Sequence, residues 1–328
     1  MRQRTLVSLP VATATLLLAG CGGAATSQGG GEEYPERNIR VIVPFAAGGP
    51  TDAAARAPAP CLEETLDATL VVENKPGGGG AVGTAELTSA EPDGYTVGIV
   101  SAGTVAIAPF LSAGAGFTPD DFQHIGTVTE IASGFMVPAD SPFDTAEDLF
   151  EAAKADPGSV SVSIGGASTT YGIELQQLVE EHGIPLQIVP FEGGAPAEAA
   201  MRGENVDGMF AAITAGRVEA MEAGEFKVLF TGAPDPVDHL PDVPTLASLG
   251  YPDLVNTTEF FTLSGPTGMP DEAVNVLADA LEHCLQQEDV TSILGDRFVP
   301  DEFIDGEETA AKFEEMVMAF EPILTGGN

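Results

Sequence analysis

Basic side chains are scarce in this sequence, and that scarcity narrows the partners that the protein can bind. The 328 residues contain 12 Lys and Arg against 50 Asp and Glu, a formal net charge of −38. Nucleic acids and anionic lipid surfaces attract positively charged proteins, so we expect neither as a partner. The shortage of lysine beside the excess of acid favours adaptation to high salt, where screening suppresses self-repulsion. Ordinary extracellular acidity is the alternative.

Patterns for catalysis and for metal binding are also missing. Histidine occurs four times, with no His-x-x-x-His spacing, and no Gly-x-Ser-x-Gly segment is present. The segment 78–83 matches Gly-x-Gly-x-x-Gly, but it follows the second predicted strand, where a dinucleotide site needs the first. We interpret it as a close-packed turn. The sequence therefore predicts no metal, no cofactor and no enzymatic activity.

Long apolar runs are limited to residues 6–18, which are too few for a permanent membrane helix. Arg2 and Arg4 precede this run, and Leu-Ala-Gly-Cys follows it, which resembles the lipoprotein signal in which Cys21 is lipidated. We predict a signal peptide over 1–20 and a flexible tether over 21–33. The body would then lie outside the cytoplasmic membrane, held to it only by lipid. A plain secretory signal is the alternative.

Cysteine is rare as well, with three residues in the chain. Cys61 and Cys284 remain after Cys21, and the domain organisation given below places both in one lobe. A disulfide is permitted outside the cell, so the two can pair. Two buried free thiols are the alternative.

Two segments of the chain repeat one pattern, residues 43–56 and 189–202. Each follows an apolar run and gives Val-Pro-Phe, a Gly-Gly pair and an Ala-rich stretch ending in Arg. This pattern predicts a strand, a tight loop and a helix. Backbone N–H groups and the helix dipole at such a loop favour anions. The copies start 146 residues apart (189 minus 43), which predicts two lobes that share a cleft.

Strands and helices alternate over the rest of the chain, which predicts an α/β fold with parallel sheets. Thr51 is predicted to cap a helix, and Pro58 and Pro60 to interrupt it. Loops rich in Gly, Ser and Thr end several strands, at 45–52, 101–104, 165–170 and 191–195. They can donate hydrogen bonds to a carboxylate without a fixed charge. Simple tight turns are the alternative.

The predicted strands are 39–44, 69–73, 96–100, 160–164, 186–189, 206–211, 226–231 and 260–263, and the main helices are 81–90, 146–155, 171–181, 216–222, 271–287 and 307–320.

Taken together, the motifs resemble the Bug-type solute-binding receptors of tripartite tricarboxylate transporters. They are Tyr-Pro at 34, Phe-x-x-Gly-Gly-x-Thr-Asp at 45–52, Pro-Asp-Gly-Tyr-Thr at 92–96, Val-Pro-Phe-Glu-Gly-Gly-Ala at 189–195 and Leu-Pro-Asp-Val-Pro-Thr at 240–245. The resemblance extends over residues 34–325. The chain departs from it by having no Trp and by placing Glu192 where the family has Lys.

The resemblance implies a two-lobed periplasmic-binding-protein fold (Venus-flytrap, type II-like) with two interdomain crossings. Lobe 1 would comprise 34–130 plus about 262–300, and lobe 2 would comprise 131–261 plus about 301–328. The protein would be a monomer that captures a small organic carboxylate and delivers it to a membrane permease. A receptor for a signalling partner and an exported enzyme on the same fold are the alternatives.

The resemblance also implies a set of ligand-binding residues on both sides of the cleft. Asp52 has an alternative role as a cap of its own helix. Asp207 is expected to face the cleft from the end of its segment. The full set is Phe45, Ala46, Gly48, Gly49, Thr51, Asp52, Ser101, Thr104, Gly166, Ala167, Ser168, Thr169, Gly194, Ala195 and Asp207.

Overall fold

Strands and helices alternate along the described part of the chain, which is residues 34–111, 115–167, 169–237, 239–254 and 258–326 of a computed structural model. The predicted signal peptide, the tether and Cys21 lie outside it. The strands are β1 (Ile39–Val43), β2 (Leu70–Asn74), β3 (Thr96–Ser101), β4 (Phe122–Ile131), β5 (Ser133–Pro138), β6 (Ser161–Ile164), β7 (Gln187–Pro190), β8 (Gly208–Ala212), β9 (Phe226–Thr231) and β10 (Glu259–Pro266). The helices are α1 (Pro50–Arg56), α2 (Ala59–Leu66), α3 (Ala81–Thr88), α4 (Ala102–Ala106), α5 (Ala108–Leu111), α6 (Ala146–Ala155), α7 (Thr170–Glu180), α8 (Gly194–Arg202), α9 (Ala215–Glu222), α10 (Asp271–Leu285), α11 (Glu288–Leu294) and α12 (Gly306–Leu324).

Two mixed sheets form the centres of two lobes, as expected for the two-lobed α/β fold. The first sheet has the order β2-β1-β3-β10-β4, and the second has the order β7-β6-β8-β5-β9. In the first, β1 pairs in parallel with β2 and β3, whereas β10 runs antiparallel to β3 and β4. In the second, β6 is parallel to β7 and β8, whereas β5 is antiparallel to β8 and β9. The expected parallel pairing therefore holds for only part of each sheet.

The chain passes between the lobes twice, as the fold prediction requires. The first crossing is the single residue between β4 and β5, since these strands belong to different sheets. The second crossing connects β9 to β10, and its residues Leu246 and Leu254 pack in the second-lobe core. The first crossing is a single residue, whereas the second takes up residues 232–258.

The final helix lies on the first lobe, and this corrects one predicted boundary. Phe313, Met316 and Phe320 of α12 pack in one buried cluster with Ile42 and Val100 of the first sheet. The prediction that residues from about 301 onward belong to lobe 2 is therefore wrong. The apolar face of α12 was visible in the sequence, but nothing in its pattern indicated which sheet it covers.

The first βα unit shows why the sequence folds locally as it does. The strand β1 is almost fully buried because it is apolar on both faces. The helix α1 begins after Gly49 with Pro50 in its first turn, a position that tolerates proline, and ends before Pro58. The predicted interruption at Pro58 is thus confirmed. Thr51 does not cap the helix, because it lies inside the first turn and the N-cap is Gly49.

A disulfide joins Cys61 of α2 to Cys284 of α10, with their Cα atoms 5.7 Å apart. Both helices pack on the first lobe, as expected from the predicted domain organisation. Of the two alternatives left open by the sequence, the structure therefore shows the disulfide. Within the described residues no helix is both long and apolar enough to cross a membrane.

Candidate functional site

The two repeated loops lie against each other between the lobes. The backbone N–H of Ala46, in the loop after β1, donates to the carbonyl oxygen of Glu192, in the loop after β7, at 3.2 Å. Gly193 has a φ of 147°, and a Cβ there would lie 3.3 Å from the Ala46 nitrogen. Only glycine adopts this backbone conformation freely, so the close approach of the loops depends on it. The lobes are therefore closed on each other in this structure.

A small, partly open cavity of about 10 Å³ lies beside this contact. Both lobes line it, and most of the lining comes from the ends of strands and the starts of helices. The space between the closed lobes is small, so we expect a ligand to enter when the lobes separate. The lining residues are Phe45, Gly49, Pro50, Thr51, Ser101, Gly165, Thr169, Tyr171, Gly194, Glu259 and Phe261.

Six of the predicted ligand-binding residues line this cavity: Phe45, Gly49, Thr51, Ser101, Thr169 and Gly194. Several others lie close to it without lining it. A Cβ built on Gly166 would lie 3.5 Å from the Phe45 ring, and one on Gly49 would lie 3.7 Å from the Ala195 nitrogen. Gly48 and Ala167 are exposed, and Ser168 lies outside the described residues.

Asp52 stabilises the conformation of the first loop, and its carboxylate is not free to bind a ligand. Its side chain is buried, and one carboxylate oxygen accepts from the Gly48 backbone N–H at 2.9 Å. The other oxygen accepts from Arg56 Nε and Asn74 Nδ2, each at 2.9 Å. This arrangement holds the loop in the conformation that faces the cleft. Asp52 is therefore a positioning residue, which corrects its predicted place among the ligand-binding residues.

Hydroxyl groups at the two other strand ends serve mainly as helix caps. Ser101 and Thr104 form a capping box at the start of α4, in which the Thr104 side chain accepts from the Ser101 N–H at 2.9 Å. Thr169 caps α7 by accepting from the Gly172 N–H, and it donates its own proton to the Gly166 carbonyl. Capping therefore occupies the hydroxyls of Thr104 and Thr169, which were predicted to bind ligand.

Glu259 is the cavity-lining residue that the sequence prediction missed. It lies at the start of β10, with 1% of its surface exposed. One carboxylate oxygen accepts from Thr170 Oγ1, in the second lobe, at 2.6 Å. The Ser101 hydroxyl and the backbone N–H groups of Gly103 and Thr170 also bond to this carboxylate. Burial raises its pKa, and these four hydrogen bonds oppose the rise. An acidic residue at the start of a mostly apolar strand is the sequence signal that could have indicated Glu259 as a site residue.

Two further buried titratable side chains, both on α7, lie near Glu259. Burial raises the pKa of Glu174 well above its usual range, and the nearby charge of Glu259 adds to this effect. Burial also raises the pKa of Tyr171, whose ring lines the cavity. A positive charge close to the second loop belongs to Arg217, which is buried and ion-paired to Glu198 at 3.0 Å. No group of three metal-ligating side chains occurs in the portion that the structure describes.

Asp207 is far from the cleft, and this corrects its predicted role. It lies just before β8, where its carboxylate accepts from the backbone N–H and the hydroxyl of Ser161 at 2.7 and 2.6 Å. Ser161 is the first residue of β6, so both residues lie at the amino ends of their strands. The cleft loops follow the carboxyl ends, on the opposite edge of the sheet. Asp207 therefore stabilises the start of two strands.

Comparison with known families decides what kind of protein has this cleft. Residues 54–319 match the model of the tripartite tricarboxylate transporter family receptor, TctC. The chain belongs to this family. A UPF0065 protein from the gbd 5′ region of Cupriavidus necator is 30% identical over 288 residues, which cover 87% of this chain and 85% of that protein.

Two solved structures share the fold over nearly their whole length. The periplasmic binding protein BugD is 30% identical, with a TM-score of 0.82 over 90% of this chain and 98% of its own. MatC from Rhodopseudomonas palustris, solved with bound malate, is 27% identical, with a TM-score of 0.81 over 89% of this chain and 100% of its own. The predicted family and the two-lobed fold are thus confirmed, and the protein is a solute-binding receptor of the periplasmic type.

Proposed function

We propose that this TctC-family protein captures a small organic carboxylate between its lobes and delivers it to a membrane permease. The observation that carries the proposal is the meeting of the two repeated loops at one cavity, joined by the bond from Ala46 N–H to Glu192 C=O. A ligand held there would contact both lobes at once. Its binding would therefore favour the closed state over the open one.

The chemistry of the cleft supports an anion held mainly by backbone and hydroxyl groups. A protein with a net charge of −38 repels anions at long range, so local donors must provide the attraction. Gly49 and the start of α8 at Gly194 bring backbone N–H groups to the cavity. MatC, which shares this fold, binds malate. This likeness supports a carboxylate as the ligand class.

The proposal includes the position of the protein in the cell. We propose that it is held outside the cytoplasmic membrane by a lipid on Cys21, with residues 22–33 as a tether. It would act as a monomer without enzymatic activity, in keeping with the transporter-receptor family to which it belongs. Mass spectrometry of the mature protein tests the anchor, since a lipidated Cys21 would be its first residue.

Substitution of Gly49 by valine tests the proposed site. A Cβ at Gly49 would lie 3.6 Å from the Gly194 nitrogen, so Cβ itself fits, but the methyl groups of valine would cover the N–H groups across the cleft. We expect Gly49→Val to abolish carboxylate binding, measured by calorimetry, with only a modest change in melting temperature. Ala223→Val, at an exposed position after α9, is the matched control and should leave binding unchanged. Full affinity in Gly49→Val would place the site elsewhere.

A further inference from the structure

A carboxylate of the protein itself already occupies part of the interlobe cleft. Glu259 lines the same cavity as the two repeated loops and is almost completely buried. Its hydrogen-bond donors come from both lobes, with Ser101 and Gly103 on the first and Thr170 on the second. A ligand carboxylate at this position would need the same donors.

The donors that remain for a ligand are those of the repeated loops. The loop after β1 and the start of α8 contribute Gly49, Thr51 and Gly194 to the cavity wall. In contrast to the donors around Glu259, they donate no hydrogen bond to an acidic side chain of the described residues. Glu174 is not a cavity-lining residue. The cavity thus combines the backbone donors of the two loops with a carboxyl group of the protein that already has its own donors.

We infer that Glu259 sets the ligand class of this receptor: the cleft takes a small acid with a single carboxylate and discriminates against diacids. This inference rests on the proposed function. A second carboxylate on the ligand would meet Glu259 in a poorly solvated site, where like charges repel strongly. It would also find Ser101, Gly103 and Thr170 already bonded. An uncharged amide at the same end could instead donate to the Glu259 carboxylate.

Matched ligand pairs test the inference directly. Succinate and succinamate have the same length and differ only in whether the second end is a carboxylate or an amide, as do glutarate and glutaramate. Calorimetry at pH 8 would compare them, because a carboxyl with a raised pKa is more fully ionised there. We expect the wild-type protein to bind the monoamide of a pair at least tenfold more tightly than the diacid.

Two variants of Glu259 extend the test. Glu259→Gln removes the charge, and Glu259→Ala also frees its donors for a second ligand carboxylate. In both we expect the diacid to gain affinity, so that the preference for the monoamide falls below threefold. Glu130→Gln is the control, because this variant also removes one carboxylate. Glu130 lies on β4 opposite Phe260, next to Glu259, and does not line the cavity. Its preference should match that of the wild type.

The outcomes separate this inference from the proposed function. Binding of diacids by the wild type as tightly as their monoamides would overturn the inference alone, as would an unchanged preference in both Glu259 variants. Absence of binding for every carboxylate would overturn the proposed function and the inference with it. If a Glu259 variant does not fold, as judged by its thermal unfolding without ligand, the wild-type preference decides the inference.

Discussion

At the residue scale, buried carboxylates connect the hinge with the cleft. The Glu174 side chain lies beside the first crossing, where Ser133 Oγ donates to it at 3.3 Å. It also lies against Gly232 at the start of the second crossing, since a Cβ there would meet its carboxylate. Its other oxygen accepts no hydrogen bond from the described residues. A charged Glu174 is therefore poorly compensated, and the closed protein favours its protonated form.

This burial predicts a pH dependence of stability that Glu174→Gln should remove. The pKa of Glu174 is raised well above 4.5, so the folded state holds its proton more tightly than the unfolded state. The stability that this proton contributes is present below about pH 4.5 and is lost as pH rises towards the folded pKa. Urea unfolding from pH 4.5 to 8 should show the variant gaining stability relative to the wild type, by about 1.4 kcal/mol for each unit of pKa shift.

An exposed residue of the same lobe provides the control. Glu192→Gln also removes one carboxylate, but its side chain is exposed, so its stability curve should run parallel to that of the wild type. A constant difference between Glu174→Gln and the wild type across this range would contradict the account of the hinge.

The residue scale is also where sequence prediction was least complete. Motif position indicated two loops that lie together between the lobes, where Phe45, Gly49 and Gly194 line one cavity. It could not show that Asp52 turns away to hold the loop, because side-chain direction depends on Asn74, 22 residues further along. Nor could it show that Asp207 precedes its strand at the far edge of the sheet.

At the scale of elements, the repeated strand-loop-helix units were predicted well because their signals are local. Pro50, Pro58 and the Gly-Gly pairs fix where α1 and α8 begin and end. The strands β4 and β5 were not predicted, because threonine, histidine and glycine interrupt the apolar pattern of β4. Antiparallel pairing of β10 with β4 buries these polar side chains, and His124 accordingly bonds to Ser264 at 2.9 Å.

The disulfide between α2 and α10 is the element-scale feature with the largest expected effect on stability. It links residues 223 positions apart, so it restricts the unfolded chain strongly. We expect the double variant Cys61→Ser, Cys284→Ser to lose about 2–5 kcal/mol of unfolding free energy, measured with urea. Reductant should lower the stability of the wild type to a similar degree and leave the variant unchanged. Equal stability of the oxidised wild type and the variant would contradict this expectation.

At the scale of the whole molecule, charge dominates the behaviour of the protein. Only 12 basic residues oppose 50 acidic ones, and several of the basic residues form ion pairs, such as Arg40 with Glu73 and Lys312 with Glu130. The remaining acids repel one another across the surface, and salt screens this repulsion. Among the acidic residues that the structure describes, only Asp52, Glu174 and Glu259 are buried, so most of this charge lies at the surface.

Salt should therefore stabilise the protein. We expect its melting temperature to rise between low salt and molar sodium chloride, because the Debye length falls to about 3 Å at 1 M. Calorimetric scans over this range would measure the change, with the reductant-treated protein as a check that the disulfide is not involved. A flat melting temperature would show that the acidic composition is not an adaptation to salt.

Carboxylate binding is the central claim, and a thermal-shift screen in molar salt tests it most directly. Organic acids would be compared with neutral and cationic solutes of similar size. A ligand at about 100 times its dissociation constant adds about 2.7 kcal/mol to stability, which raises the melting temperature by a few degrees. The account predicts that the stabilising compounds are carboxylates. Stabilisation by neutral or cationic solutes, with no response to any carboxylate, would contradict it.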